Sequence, residues 1–146
     1  MAFKYPFQKV LDVKSSEKKE AESQLARAFA ALTEAERELQ AAVSEKERAQ
    51  ARLAEEALGP LAMAEIVASQ RYVDFLEIRI KEADLRYKDA ERRVSELRER
   101  LIDRTMDEKI WLNAKEKALT EFRKETERRS QLELDEMASA RSRYAL

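Results

Sequence analysis

The chain of 146 residues contains no cysteine and no histidine. The first absence excludes disulfides and thiol chemistry; the second removes the commonest metal ligand and the usual general base near neutral pH. Only carboxylates, lysines and hydroxyls remain for catalysis, so no enzyme is expected and no cofactor is implied. Glycine occurs once and proline twice, which leaves little to interrupt a helix. Aromatic residues are 7% of the chain, too few for a large central core. No apolar run approaches the ~20 residues that cross a bilayer, and the opening MAFKYPFQKVL lacks the apolar stretch of a secretory signal. A cytoplasmic protein without direct membrane insertion is the expectation. An excess of one charge is missing too: 29 Lys and Arg against 30 Asp and Glu leave a net charge of -1, which argues against nucleic acid or anionic lipid as the dedicated partner.

What is present is charge, at 40% of the residues, interspersed with Ala, Leu and Gln in the proportions of long helices and coiled coils. Steps of seven from Leu11 reach Lys18, Leu25, Leu32, Leu39, Lys46 and Leu53. Steps of seven from Phe7 reach Lys14, Ala21, Ala28, Ala35, Ala42 and Ala49. The two series interleave with spacings of three and four, the seam of a coiled coil. After the adjacent helix breakers Gly59 and Pro60 a second array runs through Ile66, Val73, Ile80, Tyr87, Val94 and Leu101, with Leu76, Ala83, Ala90, Leu97, Arg104, Trp111 and Ala118 between them.

A chain that folds back places residues opposite each other when their numbers add to a constant. Matching the leucine-rich series allows 112, 119 or 126, and only 119 centres the reversal between Gly59 and Pro60. This register pairs Leu53 with Ile66, Leu39 with Ile80, Leu32 with Tyr87 and Leu25 with Val94, and it sets Ala42 on Leu76, Ala35 on Ala83 and Ala28 on Ala90. The expected fold is all-α: one domain over 1–146, a long antiparallel two-helix coiled-coil hairpin with the second helix longer than the first. The first helix is expected over about 7–57, the turn over 58–61 and the second helix over about 62–140. At 1.5 Å per residue the two would run about 75 and 120 Å. Lys14, Lys18, Arg104 and Glu108 occupy seam positions near the open end, where polar residues cost stability but fix register; beyond them Phe7 meets Trp111 as an apolar clasp. Met1 would lie opposite position 118, so 119–146 has no partner in the chain. Either this overhang frays or another molecule supplies the missing half.

The carboxylate pairs Glu55 with Glu56 and Asp135 with Glu136 lack a cleft that would tune their ionisation, and they read as solvated helix faces. A carboxylate-only metal site needs a ligand-dense loop, which the short connection around Gly59 does not offer, so no metal is expected. Arg92, Arg93, Arg98, Arg100 and Arg104 form the densest basic region, but Glu91, Glu96 and Glu99 thread through it, as on a salt-bridged helix surface. Tyr72, Phe75, Ile78 and Leu85 lie off the seam: they mark an interface or wrap the edge of the hairpin. Val10, Val13 and Phe29 raise the same alternative.

The opening MAFKYPFQKVLDVKSSEKKEAE, the segment VASQRYVDFLEIRI after the break and the ending LELDEMASARSRY resemble the flagellar export FliJ family over the whole chain. The motif residues are Phe3, Phe7, Gln8, Val10 and Leu11 at one end and Leu134, Asp135, Glu136 and Ala138 at the other. The resemblance implies a non-enzymatic coiled-coil stalk, similar to the central stalk of rotary ATPases, in the flagellar type III export apparatus. Its implied partners are the hexameric export ATPase, the cytoplasmic domain of the membrane export gate and export chaperones, at the inner face of the cell membrane. By that resemblance Val10, Leu11, Val13, Lys14, Leu134, Asp135, Glu136 and Arg141 would contact the ATPase ring, and Tyr72, Phe75, Leu76, Arg79 and Ala83 the gate. Arg79 and Ala83 depart from some relatives, and Leu76 and Ala83 are also seam residues. The free protein is expected to be a monomer. The alternatives are the stalk of a virulence-type injectisome, a self-associating coiled-coil scaffold, and a holdase with exposed apolar tips.

Overall fold

The computed structural model describes residues 2–60 and 62–144; expectations that touch Met1, Leu61, Ala145 and Leu146 lie outside the described residues. Two helices make up the fold, α1 over Gln8–Leu58 and α2 over Met63–Tyr144. They form an antiparallel coiled-coil hairpin with the longer helix second, and no strand occurs among the described residues. Pro6 precedes α1, and the Phe7 carbonyl accepts the first helical bond from the Leu11 N–H at 3.0 Å. The Ala62 carbonyl does the same for Ile66 at 3.3 Å at the start of α2. Glu65 in the first turn of α2 and Arg141 and Arg143 in its last turn complement the helix dipole.

The break between the helices differs in mechanism from a left-handed glycine cap. Gly59 has no positive φ, and its N–H bonds the Glu56 carbonyl at 3.1 Å, a bond three residues back that tightens the last turn. Pro60 supplies the stop: it has no N–H to continue the ladder, and its ring disfavours helical geometry in the residue before it.

The chain divides into two compact units, Met1–Glu20 with Ile102–Leu146, and Ala21–Leu101, where the sequence led us to expect one. The second, the hairpin unit, buries a stripe of alanines on α1, from Ala21 at 3% exposed through Ala28, Ala35 and Ala42 to Ala49. Against it α2 buries Val73, Leu76, Ala83, Val94 and Leu97. The seam residues Leu25, Leu32, Leu39, Leu53, Ile66, Ile80 and Tyr87 are half-buried, while Val94 is fully covered. Two helices cannot enclose a long side chain that reaches to the flank of their contact, whereas an alanine on the line between the axes is covered from both sides.

The register differs from the one that seam matching gives. Ala28 clusters with Val94 and Leu97, not with Ala90, and Ala49 clusters with Val73 and Leu76, where the constant of 119 would set Gln70. The displacement is about one step of the seam, the three or four residues between neighbouring layers. Two causes account for it. The helices end at Leu58 and resume at Met63, so the reversal is centred later than the Gly59–Pro60 bond. Setting alanine against valine and leucine also fills space better than setting small on small.

The terminal unit, Met1–Glu20 with Ile102–Leu146, holds the polar layers. Lys18 Nζ lies 3.2 Å from Glu108 Oε1, Arg104 Nη1 lies 3.3 Å from Glu17 Oε2, and Lys14 reaches the same Glu17 at 3.7 Å. Leu11, at 4% exposed, is its most buried apolar residue on α1. The segment before α1 does not end at Phe7. Tyr5 is buried and Phe3 half-buried, and the Phe3 ring stands 5.4 Å from that of Phe122. The unpartnered part of α2 therefore begins later than position 119: Ala118, Leu119, Phe122 and Glu125 are half-buried, and every described residue from 126 to 144 is exposed.

Candidate functional site

Two surfaces are built by these elements, one on each unit. On the hairpin unit, α2 just beyond the turn carries Tyr72, Phe75 and Ile78, which are 43%, 56% and 58% exposed. The rings of Tyr72 and Phe75 stack with centroids 6.5 Å apart. Tyr72 and Phe75 line a shallow groove together with Ala41 and Ala42 of α1 and Arg79 and Arg86 of α2. The groove exists because alanines at the seam leave no side chain tall enough to fill the flank. The Tyr72 hydroxyl donates to Glu45 Oε1 at 3.1 Å. That bond, with Arg48 and Arg52 behind it, holds the Glu45 carboxyl below its ordinary value, and the same bond to Glu45 raises the Tyr72 hydroxyl. Tyr72 is thus fixed to α1, and Phe75 is the ring left free to face a partner.

Of the five residues that the resemblance assigns to a gate contact, Leu76 is 0% and Ala83 2% exposed. Both lie in the seam, so the surface there consists of Tyr72, Phe75 and Arg79. Leu85, at 63%, is exposed as well. Phe29 is different: the Arg98 guanidinium sits 5.2 Å from its ring centroid and covers one face by a cation–π contact.

On the terminal unit, Val10 and Lys14 are half-buried, Leu11 is buried and Val13 is 55% exposed. Leu134 and Arg141 are exposed, as are Asp135, which accepts a bond from Gln131 at 3.1 Å, and Glu136. The structure does not bring these two groups together. Phe7, next to the first group, stands against Trp111 with ring centroids 5.6 Å apart, and the helix from Trp111 to Leu134 runs about 35 Å further. A partner that touches both groups must extend along α2.

Sequence reasoning missed Phe3 and Tyr5 as parts of the clasp. Tyr5 stands edge-on to Phe7 at 5.9 Å, and its hydroxyl donates to the Trp111 carbonyl at 3.4 Å. The signal that marks them is the density of aromatics at 3, 5 and 7, ahead of the first helix, which a search for heptads passes over.

The other chemical candidates have structural partners. Glu56 accepts from the Ser69 hydroxyl at 2.7 Å. Arg92 pairs with Asp89 at 2.8 Å, Arg93 lies 3.9 Å from Glu96, and Arg100 donates to Gln24 at 3.2 Å. Among the described residues no group of three or more His, Cys, Asp or Glu is placed to hold a metal ion. Among the described residues no helix is long and apolar enough to cross a membrane.

Comparison with known proteins adds one finding: the family model described as Flagellar FliJ protein matches residues 3–145. No curated protein and no solved structure matches the chain.

Proposed function

The chain belongs to the flagellar FliJ family, and from that premise we propose that it is the stalk of the flagellar export ATPase and links that hexameric ring to the membrane export gate. Members of the family are non-catalytic components of the flagellar type III export apparatus. The finer reading assigns the far part of α2, with the first turns of α1, to the ATPase ring. It assigns the Tyr72, Phe75 and Arg79 surface to the cytoplasmic domain of the gate, at the inner face of the cell membrane, and it includes an escort role for export chaperones.

The observation that carries this reading is the stretch of α2 from 126 to 144. Every described residue there is exposed, yet it bears Leu132, Leu134, Met137 and Tyr144. A single helix in water gains nothing from such side chains and is marginal by itself, so their value lies in a complex. An asymmetric helix inside a six-fold ring touches some subunits and not others. By binding the assembled ring preferentially it promotes assembly and biases which subunit turns over next. The chain itself hydrolyses nothing in this scheme.

Truncation after Glu125 tests it. The shortened chain keeps the Phe3 to Phe122 contact and is expected to retain its thermal transition while losing stimulation of the ATPase. Undiminished stimulation by a folded truncated chain overturns the assignment. Light scattering on the full chain separates the stalk from a self-associating scaffold: a monomer at all concentrations supports the stalk, and a tight dimer rejects it.

A further inference from the structure

The side of α2 turned away from α1 in the terminal unit carries an apolar row. Arg104 pairs with Glu17 and Glu108 with Lys18, so those two residues face α1. Met106 lies two residues from each of them and therefore about 200° round the helix from both. Ile102 and Ile110 stand one step of four before and after it. Ile102, Met106 and Ile110 are 57%, 59% and 63% exposed, and Ala114, exposed as well, continues the row. Exposed apolar side chains scattered singly are ordinary, whereas a contiguous row of them marks an interface.

Charges of opposite sign line the two sides of this row. Asp103 and Asp107 each follow a member of it by one residue, which sets them about 100° to one side. Lys109 precedes Ile110 by one residue and lies as far to the other side, and Lys117, two steps of four further on, continues that line through the neutral Asn113. Elsewhere on α2 such charges find each other, as Lys88 does Asp84 at 2.9 Å and Arg128 does Glu125 at 2.6 Å. Among the described residues Asp103, Asp107, Lys109 and Lys117 take part in no ion pair or side-chain hydrogen bond. Arg104, three residues before Asp107, is engaged by Glu17 of α1, and no residue three or four places from Lys109 is acidic.

We propose that the face of α2 from Ile102 to Lys117 docks an amphipathic helix of another protein. That helix has apolar side chains at four-residue intervals, acidic residues on the side that meets Lys109 and Lys117, and basic residues on the side that meets Asp103 and Asp107. A helix is the occupant because a row at intervals of four is a ridge that seats between the ridges of a second helix. Charges flanking an apolar line are also how paired helices select their partner. From Ile102 to Ile110 the row rises about 12 Å, so the partner needs about three turns to cover it. An anionic bilayer does not suit the face, since Asp103 and Asp107 would meet charge of their own sign. The inference does not rest on the stalk reading: none of these residues belongs to the surfaces assigned there to the ring or the gate.

The probe is a stapled, fluorescently labelled helical peptide with leucine at every fourth position, glutamate along one side of that row and lysine along the other. Its anisotropy is expected to rise saturably with the full chain. Binding is expected to weaken about tenfold for Ile102→Ser with Met106→Ser, and for Lys109→Glu with Lys117→Glu. A second peptide with lysine on both sides is expected to invert the order, binding the Lys109→Glu, Lys117→Glu chain more tightly than the parent, because that chain is acidic on both flanks. All four substituted side chains are exposed, so helix content by circular dichroism is expected to stay. Absence of saturable binding to the folded parent, or affinities that the charge exchange leaves unchanged, overturns the proposal. So does binding of the parent to phosphatidylglycerol vesicles, or a dimer of the parent by light scattering, that Ile102→Ser with Met106→Ser abolishes, since either gives the face another occupant.

Discussion

The Lys18 ammonium and the Glu108 carboxylate meet at 3.2 Å across the two helices of the terminal unit, at positions where heptad spacing asks for apolar side chains. A polar layer of this kind costs stability and excludes shifted registers, because a slip would leave both charges without their partner. The Glu108 carboxyl lies below its ordinary value, through the Ser15 hydroxyl first and then Lys18.

That shift fixes a pH dependence. A carboxylate with a depressed folded value contributes stability that is present above its unfolded value, about 4.3, and is lost as pH falls through the folded value. Glu45 and Glu125 are lowered as well and act with the same sign. The melting temperature is expected to hold from neutral pH to about 5 and to decline below that. Thermal melts of Glu108→Gln should show a smaller acid decline than the parent; an equal decline would remove Glu108 from the account.

Gly59 is expected to tolerate a side chain. Its φ is not positive, and an added Cβ would meet nothing nearer than the Glu56 carbonyl oxygen at 3.8 Å. Gly59→Ala therefore restricts the unfolded chain without straining the turn and should raise stability by about 0.4–1 kcal/mol. Urea denaturation measures this, and a loss of stability would mean that the turn needs glycine after all.

Leu76 and Leu58 separate packing from composition. Leu76 is 0% exposed and Leu58 is 91%. Replacing Leu76 by alanine opens a cavity where Val73 and Ala49 meet and is expected to cost about 2–5 kcal/mol. The same change at Leu58 should stay within about 0.5 kcal/mol. Equal effects in chemical denaturation would contradict the burial pattern.

Much of this architecture is legible in the heptads. Alanine at 21, 28, 35, 42 and 49 marks the closest face of α1, and the clustering of Gly59 with Pro60 marks the reversal, because periodicity and helix breaking are local properties of the chain. The polar positions Lys18 and Glu108 are also visible as seam residues. The candidate surface is legible only in part. Phe75 stands out as an apolar residue off the seam, but heptad position alone does not separate it from Tyr72, whose hydroxyl is tied to Glu45. The contacts of Phe3 and Tyr5 with α2 are illegible to a heptad search because both residues precede α1 and its heptads.

By itself, then, the sequence determined two helices, their reversal and the faces they turn to each other, since each follows from spacing and backbone propensity along one strand of chain. Only the tertiary structure decided which layer of α2 each alanine meets, and where α2 loses its cover. Register depends on how side chains of different size fill the space between two axes and on the residues used in the turn. The cover ends after Glu125 rather than at 119 because the segment before α1 carries Phe3 to the Phe122 ring, a contact between residues far apart in the chain that no local spacing announces.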